Sequence, residues 1–350
     1  MRRIKWKWVA LIVLLLIVGT ASYYAYGIYK FGQEISKDPE ESRFKDYYKE
    51  DEPRPYEPPA WEGDERLNIL LLGGDSRGVN EGTAPRSDTM LVASVDPVTK
   101  KAHLFSILRD SWVDIPDHGM DRINSALSIG GPDLAMKTVS DYLGIPIQYY
   151  VFVDFVGFQA LVDAIGGIDY YVEKDMYYSS RADGPEYTID LKEGFQHLDG
   201  KEALQYVRFR YDAMSDYSRT ERQRAFLKAV VAKVQSTSNL IKLPSILEDI
   251  APYIETNISM NKMLRMGTLA FQVDTSEVGS VQIPPFELLQ ETNVGGASVL
   301  GSDPEQVQQY VQETFTKEPE AETTEGTDGT TGTDGTDSPE TTNESGSAQP

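Results

Sequence analysis

Residues 8–29, WVALIVLLLIVGTASYYAYGIY, carry no charged side chain over 22 positions. A helix rising about 1.5 Å per residue crosses a hydrocarbon layer of ~30 Å in roughly 20 residues, so this stretch is long enough to span a bilayer. Four bases and no acid precede it in MRRIKWK. That asymmetry predicts an uncleaved anchor at 8–29, with residues 1–7 in the cytoplasm and the rest of the chain outside. The alternative is a cleaved signal peptide, whose apolar run is typically about 7–15 residues and ends in an A-x-A-like site. Here the run is longer and closes on Tyr23, Tyr24, Tyr26 and Tyr29, as an interfacial aromatic belt does.

Outside the anchor the chain divides by composition. Residues 30–65 are charged and proline-rich, which predicts a stiff, solvated stalk. Residues 316–350 hold repeated GTDGT units and many acids, a composition that cannot build a core and predicts a disordered tail. Between them, 66–315 reads as one folded extracytoplasmic domain. The chain has net charge −22, which argues against nucleic acid as a partner. It has no cysteine, which excludes disulfides and thiolate metal sites, and its three scattered histidines show no zinc spacing.

Within the domain, short aliphatic runs alternate with amphipathic stretches. LNILLLG, DTMLVASVD, AHLFSIL, QYYVFVDF, IDYYVE and EVGSVQIP read as strands. GPDLAMKTVSDYLG, DFVGFQALVDAIGG and TERQRAFLKAVVAKVQS read as helices. This alternation predicts an α/β fold with a layered sheet covered on both faces.

Four clusters of charge stand at the ends of these elements. In LNILLLGGD, Gly73 and Gly74 read as a tight turn ending a strand, followed by Asp75. Neither a Walker A lysine nor a GxGxxG helix start follows. In APRSDTM, Arg86 and Asp88 are two apart and share a face if extended. Asp75 and Asp88 then converge if their strands are neighbours, and two carboxylates suit a hard cation such as Mg2+ that also binds substrate phosphate. SILRDSW places Arg109 and Asp110 at a third strand end. Each of these, taken alone, also reads as an ordinary cap or surface ion pair. The fourth cluster is VRFR followed by SRTERQR. Arg208 and Arg210 share a face of an extended segment, and Ser218–x–x–Glu221 has capping-box spacing. Arg219, Arg222 and Gln223 then fall on one side of a first helical turn. Cations there oppose the helix dipole, so the cluster points to an anion that compensates it, with guanidinium forks suited to phosphate. The alternative is a solvated basic face.

Taken together, GGDSRG, RSDTM, SILRDS, DRIN, LDGKEALQYVRFRY and RTERQR resemble the LytR-CpsA-Psr family of cell-wall glycopolymer ligases. The resemblance is dense over residues 66–235 and fades toward 300. It implies an α/β/α sandwich with a central mixed sheet, behind one N-terminal transmembrane helix. It implies a polyprenyl-linked glycopolymer as substrate, its tail in an apolar tunnel with FVGFQALVDAIGG as part of the wall. The aspartates Asp75 and Asp88 would hold Mg2+, with Mn2+ as a substitute. The residues Arg86, Arg109, Arg208, Arg210, Arg219, Arg222 and Gln223 would bind pyrophosphate, and Asp75 and Arg109 would be catalytic. Two departures stand out. Leu108, Arg109, Asp110 and Ser111 replace the family's frequent Pro-Arg-Asp-Thr, and Ser218 stands where glycine is common.

The function so implied is transfer of a glycopolymer such as teichoic acid or capsule from polyprenyl pyrophosphate to peptidoglycan, by positioning and charge neutralisation. A lipid pyrophosphate hydrolase would use the same groups with water as acceptor. A non-catalytic envelope regulator is the third reading.

Overall fold

The computed structural model describes residues 6–37, 40–48, 54, 56–75, 84–180, 184, 187–210, 215–274 and 277–316. The expected acidic tail beyond Thr316, residues 1–5, and positions 76–83 of the GGDSRG loop lie outside them.

Helix α1, Trp6–Ile35, is long and apolar enough to cross a membrane. The segment after it is not the solvated stalk that its composition predicts. Phe44 and Trp61 are buried. The Phe44 ring meets Phe152 edge-on at 5.2 Å and Tyr150 at 6.2 Å. The buried Glu255 carboxylate accepts from Ser42 Oγ and, at 3.0 Å, from the Arg43 amide. Single apolar side chains spaced among charges leave mean composition polar, yet each can enter a core when the backbone is tied down beside it.

A meander opens the domain: β1 (Leu67–Gly74), β2 (Ser87–Val95) and β3 (Ala102–Ile107) pair antiparallel in sequence. The hairpin β4 (Trp112–Ile115) and β5 (Gly119–Arg122) leads into α2 (Ser125–Leu143). Strand β6 (Tyr149–Asp154) runs parallel to β1, and α3 (Phe155–Ala164) follows it. A two-stranded ribbon comes next, in which β7 (Ile168–Val172) pairs with β10 (Gly194–Leu198) and β8 (Met176–Tyr178) with β9 (Ile189–Leu191). Then come α4 (Gly200–Arg208), α5 (Ser215–Val234) and α6 (Thr237–Ile250). Strand β11 (Ile254–Thr256), α7 (Met260–Ala270), β12 (Gly279–Ile283), the hairpin β13 (Gln290–Val294) and β14 (Ala297–Gly301), and α8 (Pro304–Thr316) complete it.

The central sheet is mixed and six-stranded, in the order β11-β6-β1-β2-β3-β12. Side-chain alternation sorts its residues onto two faces. Leu70, Leu72, Met90, Val92, Phe105, Tyr150 and Phe152 point to one face, where Leu134, Val139 and Leu143 of α2 and Val307 and Val311 of α8 close the main core. Burying each such aliphatic side chain stabilises by roughly 1.5–3 kcal/mol. The opposite face meets α5 along β3 and β12, and Met266 and Leu269 of α7 near Leu67 and Tyr149. The fold is the α/β/α sandwich that the family resemblance implied.

Local chemistry sets the boundaries. Helix α2 is kinked at Gly130 and Gly131, restarts at Pro132 and stops at Gly144, whose φ of 66° suits glycine. Asp154 caps α3 by accepting from the Gly157 amide at 2.8 Å. The reciprocal capping box lies at Asp199 and Glu202 of α4, not at Ser218 and Glu221. Helix α5 already begins at Ser215, so Ser218 is an interior residue.

Candidate functional site

Strands β1 and β2 are hydrogen-bonded neighbours, with Gly74 opposite Ser87 across a register shift. This pairing brings Asp75, just past the carboxyl end of β1, beside Asp88 at the start of β2. Gly73 and Gly74 belong to the strand rather than to a turn. Gly74 is glycine for a different reason than the expected tight turn: a Cβ there would meet Pro85 Cγ at 2.8 Å and the Phe152 ring at 3.1 Å. A pocket of about 360 Å3 opens at this edge, lined by Asp75, Pro85, Arg86, Asp88, Arg109, Asp110, Arg122 and Asn124. The first, second and third sequence clusters therefore meet in one place.

Asp88 is the electrostatic centre of the pocket. Its Oδ1 accepts from Arg109 Nη1 at 2.5 Å and from Arg210 Nη2 at 3.2 Å. Arg210 thus reaches the site from the connection after α4. Asp110 lies 3.5 Å from Arg109 Nε and 3.2 Å from Arg122 Nε, while Arg122 Nη2 donates to the Ser298 carbonyl at 3.0 Å. Among the described residues, four guanidiniums, of Arg86, Arg109, Arg122 and Arg210, face three carboxylates, of Asp75, Asp88 and Asp110. Such a site carries surplus positive charge and presents guanidinium forks to a phosphate. Sequence reasoning did not weigh Arg122 and Asn124 as site residues. Their signal was DRIN, which the β4–β5 hairpin folds back over the end of β3, with the Asn124 amide donating to the Arg109 carbonyl at 3.3 Å.

The other members of the fourth cluster do not line this pocket. Arg208 is not on an extended segment. It is the last residue of α4, where a cation suits the dipole, and its guanidinium lies 5.1 Å from the Phe155 and Tyr187 rings. Arg222 is buried, donates to the Phe209 carbonyl at 2.5 Å and lies 3.4 Å from Glu173. Gln223 donates to the Val207 carbonyl at 3.2 Å. These two side chains tie α5 to the last turn of α4, whose carbonyls have no helical partner. Arg219 is only 1% exposed. Because α5 starts three residues before Ser218, Arg219 and Arg222 sit beyond its first turn, where the dipole has faded. The argument that these arginines oppose the dipole therefore falls away.

Next to the pocket the second sheet face is apolar and incompletely covered. Leu71, Ala93, Val151 and Val153 are only half-buried, and Leu71 pairs with Leu91 and Val151 across the strands. Ile69, Leu71 and Gly73 alternate toward Asp75 along β1. Phe155, Phe158 and Leu161 of α3 are likewise partly buried, against a second core built around Phe226 and the β7–β10 ribbon.

Asp75 and Asp88 fit the chemistry of a hard divalent cation, which takes one or two carboxylates and fills its remaining positions with phosphate and water. Among the described residues no group of three or more His, Cys, Asp or Glu side chains forms a closed cage.

The family model for LytR_cpsA_psr proteins matches residues 24–316 of this chain. The chain belongs to the LytR-CpsA-Psr family. Among relatives, the Staphylococcus aureus regulatory protein MsrR is 34% identical over 233 residues, covering 66% of this chain and 68% of its own. The polyisoprenyl-teichoic acid–peptidoglycan teichoic acid transferase TagU of Enterococcus faecalis is 41% identical over 207 residues, 58% of this chain and 65% of its own. Among solved structures, the LytR-CpsA-Psr protein TagT of Bacillus subtilis with bound octaprenyl pyrophosphate superposes with a TM-score of 0.53 at 27% identity, covering 73% of this chain and 91% of that one. Transferases and a protein named as a regulator thus share this LytR-CpsA-Psr architecture.

Proposed function

We propose that the protein transfers a glycopolymer from a polyprenyl-pyrophosphate lipid to peptidoglycan, on the outer side of a membrane in which α1 is the anchor. One observation carries this reading: the strand-end carboxylates Asp75 and Asp88 meet Arg86, Arg109 and Arg122 in a single pocket. The half-buried apolar sheet face beside it suits a polyprenyl tail, with α3 as part of the wall. The octaprenyl pyrophosphate held by TagT and the teichoic acid transfer named for TagU support the same substrate class.

In this reading the guanidiniums of Arg86, Arg109, Arg122 and Arg210 grip the pyrophosphate oxygens. An acceptor hydroxyl attacks the phosphorus on the sugar side, and a new P–O bond forms as the P–O bond to polyprenyl phosphate breaks. Asp75, just past the carboxyl end of β1, takes the hydroxyl proton. Arg109 neutralises charge on the departing phosphate while its other contact holds Asp88 in place. Mg2+, or Mn2+ in its stead, held by Asp75 and Asp88, would add charge neutralisation on the pyrophosphate. A basic N-terminus preceding the apolar run supports a cytoplasmic N-terminus and an outside domain.

The test supplies the full chain in detergent with a lipid-linked glycopolymer and peptidoglycan, and follows both released polyprenyl phosphate and polymer bound to peptidoglycan. Asp75→Asn and Asp88→Asn are expected to lose both products. Full transfer by either variant would refute the site. Polyprenyl phosphate released without polymer attachment would identify a hydrolase, and binding of the lipid without turnover a regulator of the kind MsrR's name describes.

A further inference from the structure

The anchor does not end where the domain begins. Tyr24 of α1 donates its hydroxyl to the Leu240 carbonyl at 3.1 Å and the Ile241 carbonyl at 2.6 Å. One turn later Gly27 lies against Pro244, so closely that a Cβ would meet Pro244 Cβ at 2.7 Å. One turn later again, Lys30 Nζ pairs with Glu248 at 2.6 Å. The contacts step forward together, so α6 runs beside α1 in the same direction.

This register fixes the depth of α6 once α1 is in a membrane, and the inference rests on that anchoring. Starting the hydrocarbon layer at Trp8, Tyr24 is about 24 Å along the helix, within about 6 Å of the far edge of a ~30 Å core. The Leu240 and Ile241 carbonyls are then just inside the far acyl boundary, about 6 Å below the headgroups. The charge order along α6 agrees. Its first five residues, Thr237 to Ile241, are uncharged, Lys242 follows, and its acids Glu248 and Asp249 come only near the end. Along α1 the same order holds, from the uncharged 8–29 to Lys30 and Glu34.

The elbow between α5 and α6 has a composition unlike the rest of the chain. Residues 228–242, KAVVAKVQSTSNLIK, hold three lysines and no acid in a protein of net charge −22. Ile241 is 66% exposed, and Val231 and Lys242 are exposed as well. One acid from a facing element, Asp169 of β7, feels the Lys233 charge, but its Oδ1 is already taken by His197 Nδ1 at 2.8 Å. Lys242, next to the exposed Ile241 at the acyl boundary, matches an interfacial contact, in which aliphatic tips enter the acyl layer and ammonium groups reach up to lipid phosphates.

We infer that the α5–α6 elbow is a second membrane contact, docking Val231, Ile241, Lys233 and Lys242 onto anionic lipid headgroups beside the anchor. It turns a single tether into a two-point seat and holds the domain at the bilayer surface.

The absence of native cysteine makes single labels unique. The full chain carries an environment-sensitive fluorophore at Ile241→Cys, at Leu15→Cys or at Val98→Cys, in nanodiscs of phosphatidylglycerol or of phosphatidylcholine. Leu15 lies mid-anchor, and Val98 is on the turn after β2, whose Val95 pairs with Leu67 at the amino end of β1. Nitroxide lipids quench by depth. The expected result is quenching at 241 by a headgroup-proximal nitroxide in phosphatidylglycerol, at 15 by a mid-chain nitroxide, and at 98 by neither. Each lysine near an anionic surface is worth about fivefold in the contact equilibrium. Lys233→Gln with Lys242→Gln should therefore weaken contact at 241 by roughly 25-fold. Quenching at 15 with none at 241 overturns the second contact and leaves the anchor standing. No quenching at 15 overturns the anchor and the contact together. Equal quenching at 241 in both lipids refutes the anionic headgroup as partner.

Discussion

Asp133 carries a sharp test of how this domain is packed. It follows Pro132 in α2, is 5% exposed, and its Oδ2 has no hydrogen-bond partner among the described residues. Burial raises its carboxyl from the ordinary 3.8 to about 6, while the Arg54 guanidinium pulls the other way. Below the unfolded value the group is protonated in both states. Between 3.8 and about 6 the folded protein keeps a proton that the unfolded chain has lost. Stability therefore falls as pH rises through that window, and the full cost applies above it. The difference of 2.2 between those values corresponds to about 3 kcal/mol at 1.36 kcal/mol per pH unit. The helix restart at Pro132 places the carboxylate in a first turn, which offsets about 0.3–1 kcal/mol, leaving about 2–3 kcal/mol. Asp133→Asn keeps the shape and removes the charge, so it should be more stable than the parent by about that amount at neutral pH and nearly equal to it at pH 4. Urea unfolding across this range, followed by fluorescence of the buried Trp61, measures both. A parent and variant with the same slope in pH would refute the reasoning, as would a variant less stable at neutral pH.

Other variants test other links. Phe44→Ala should cost about 3–5 kcal/mol in the same unfolding assay; a cost under about 1 kcal/mol would mean that the segment after the anchor is not part of the core. Arg222→Met removes donors to the Phe209 carbonyl and the Glu173 ion pair, and should lower stability by about 1.5–3 kcal/mol whether or not lipid pyrophosphate is present. A stability loss seen only with lipid bound would return Arg222 to the anion site. Arg122→Ala should cut transfer and, by losing its contacts to Asp110 and the Ser298 carbonyl, lower stability by about 1–2 kcal/mol; unchanged transfer by the folded variant would remove Arg122 from the site.

The elements were legible where the signal is local. LNILLLG, DTMLVASVD and AHLFSIL show the apolar density of buried strands, and they became β1, β2 and β3. Asp75, Arg86, Asp88 and Arg109 were legible as one cluster because strand ends in a layered sheet share an edge. The α4 boundary was missed although DGKE has the same capping spacing as SRTE. Both sequences permit a cap, and only the packing of Ala203, Leu204 and Val207 into the second core selects which one is used. Arg222 and Gln223 were read by type and spacing as anion ligands, yet type and spacing are equally met by two carbonyls at the end of a helix.

By itself, then, the chain's order of residues determined what depends on neighbours a few positions apart. The uncharged run made a helix able to cross a membrane, alternation made the sheet, and charges fell at its edge because apolar strands end there. Tertiary structure alone decided which partner each charge has. Asp88 meets Arg210 across 122 positions, and Glu255 meets Ser42 across 213. It also decided that Phe44 leaves a polar segment for the core. Local periodicity says which face a side chain takes, but a guanidinium or carboxylate binds whatever group the fold brings within about 3 Å, and that distance is set only when the layers close.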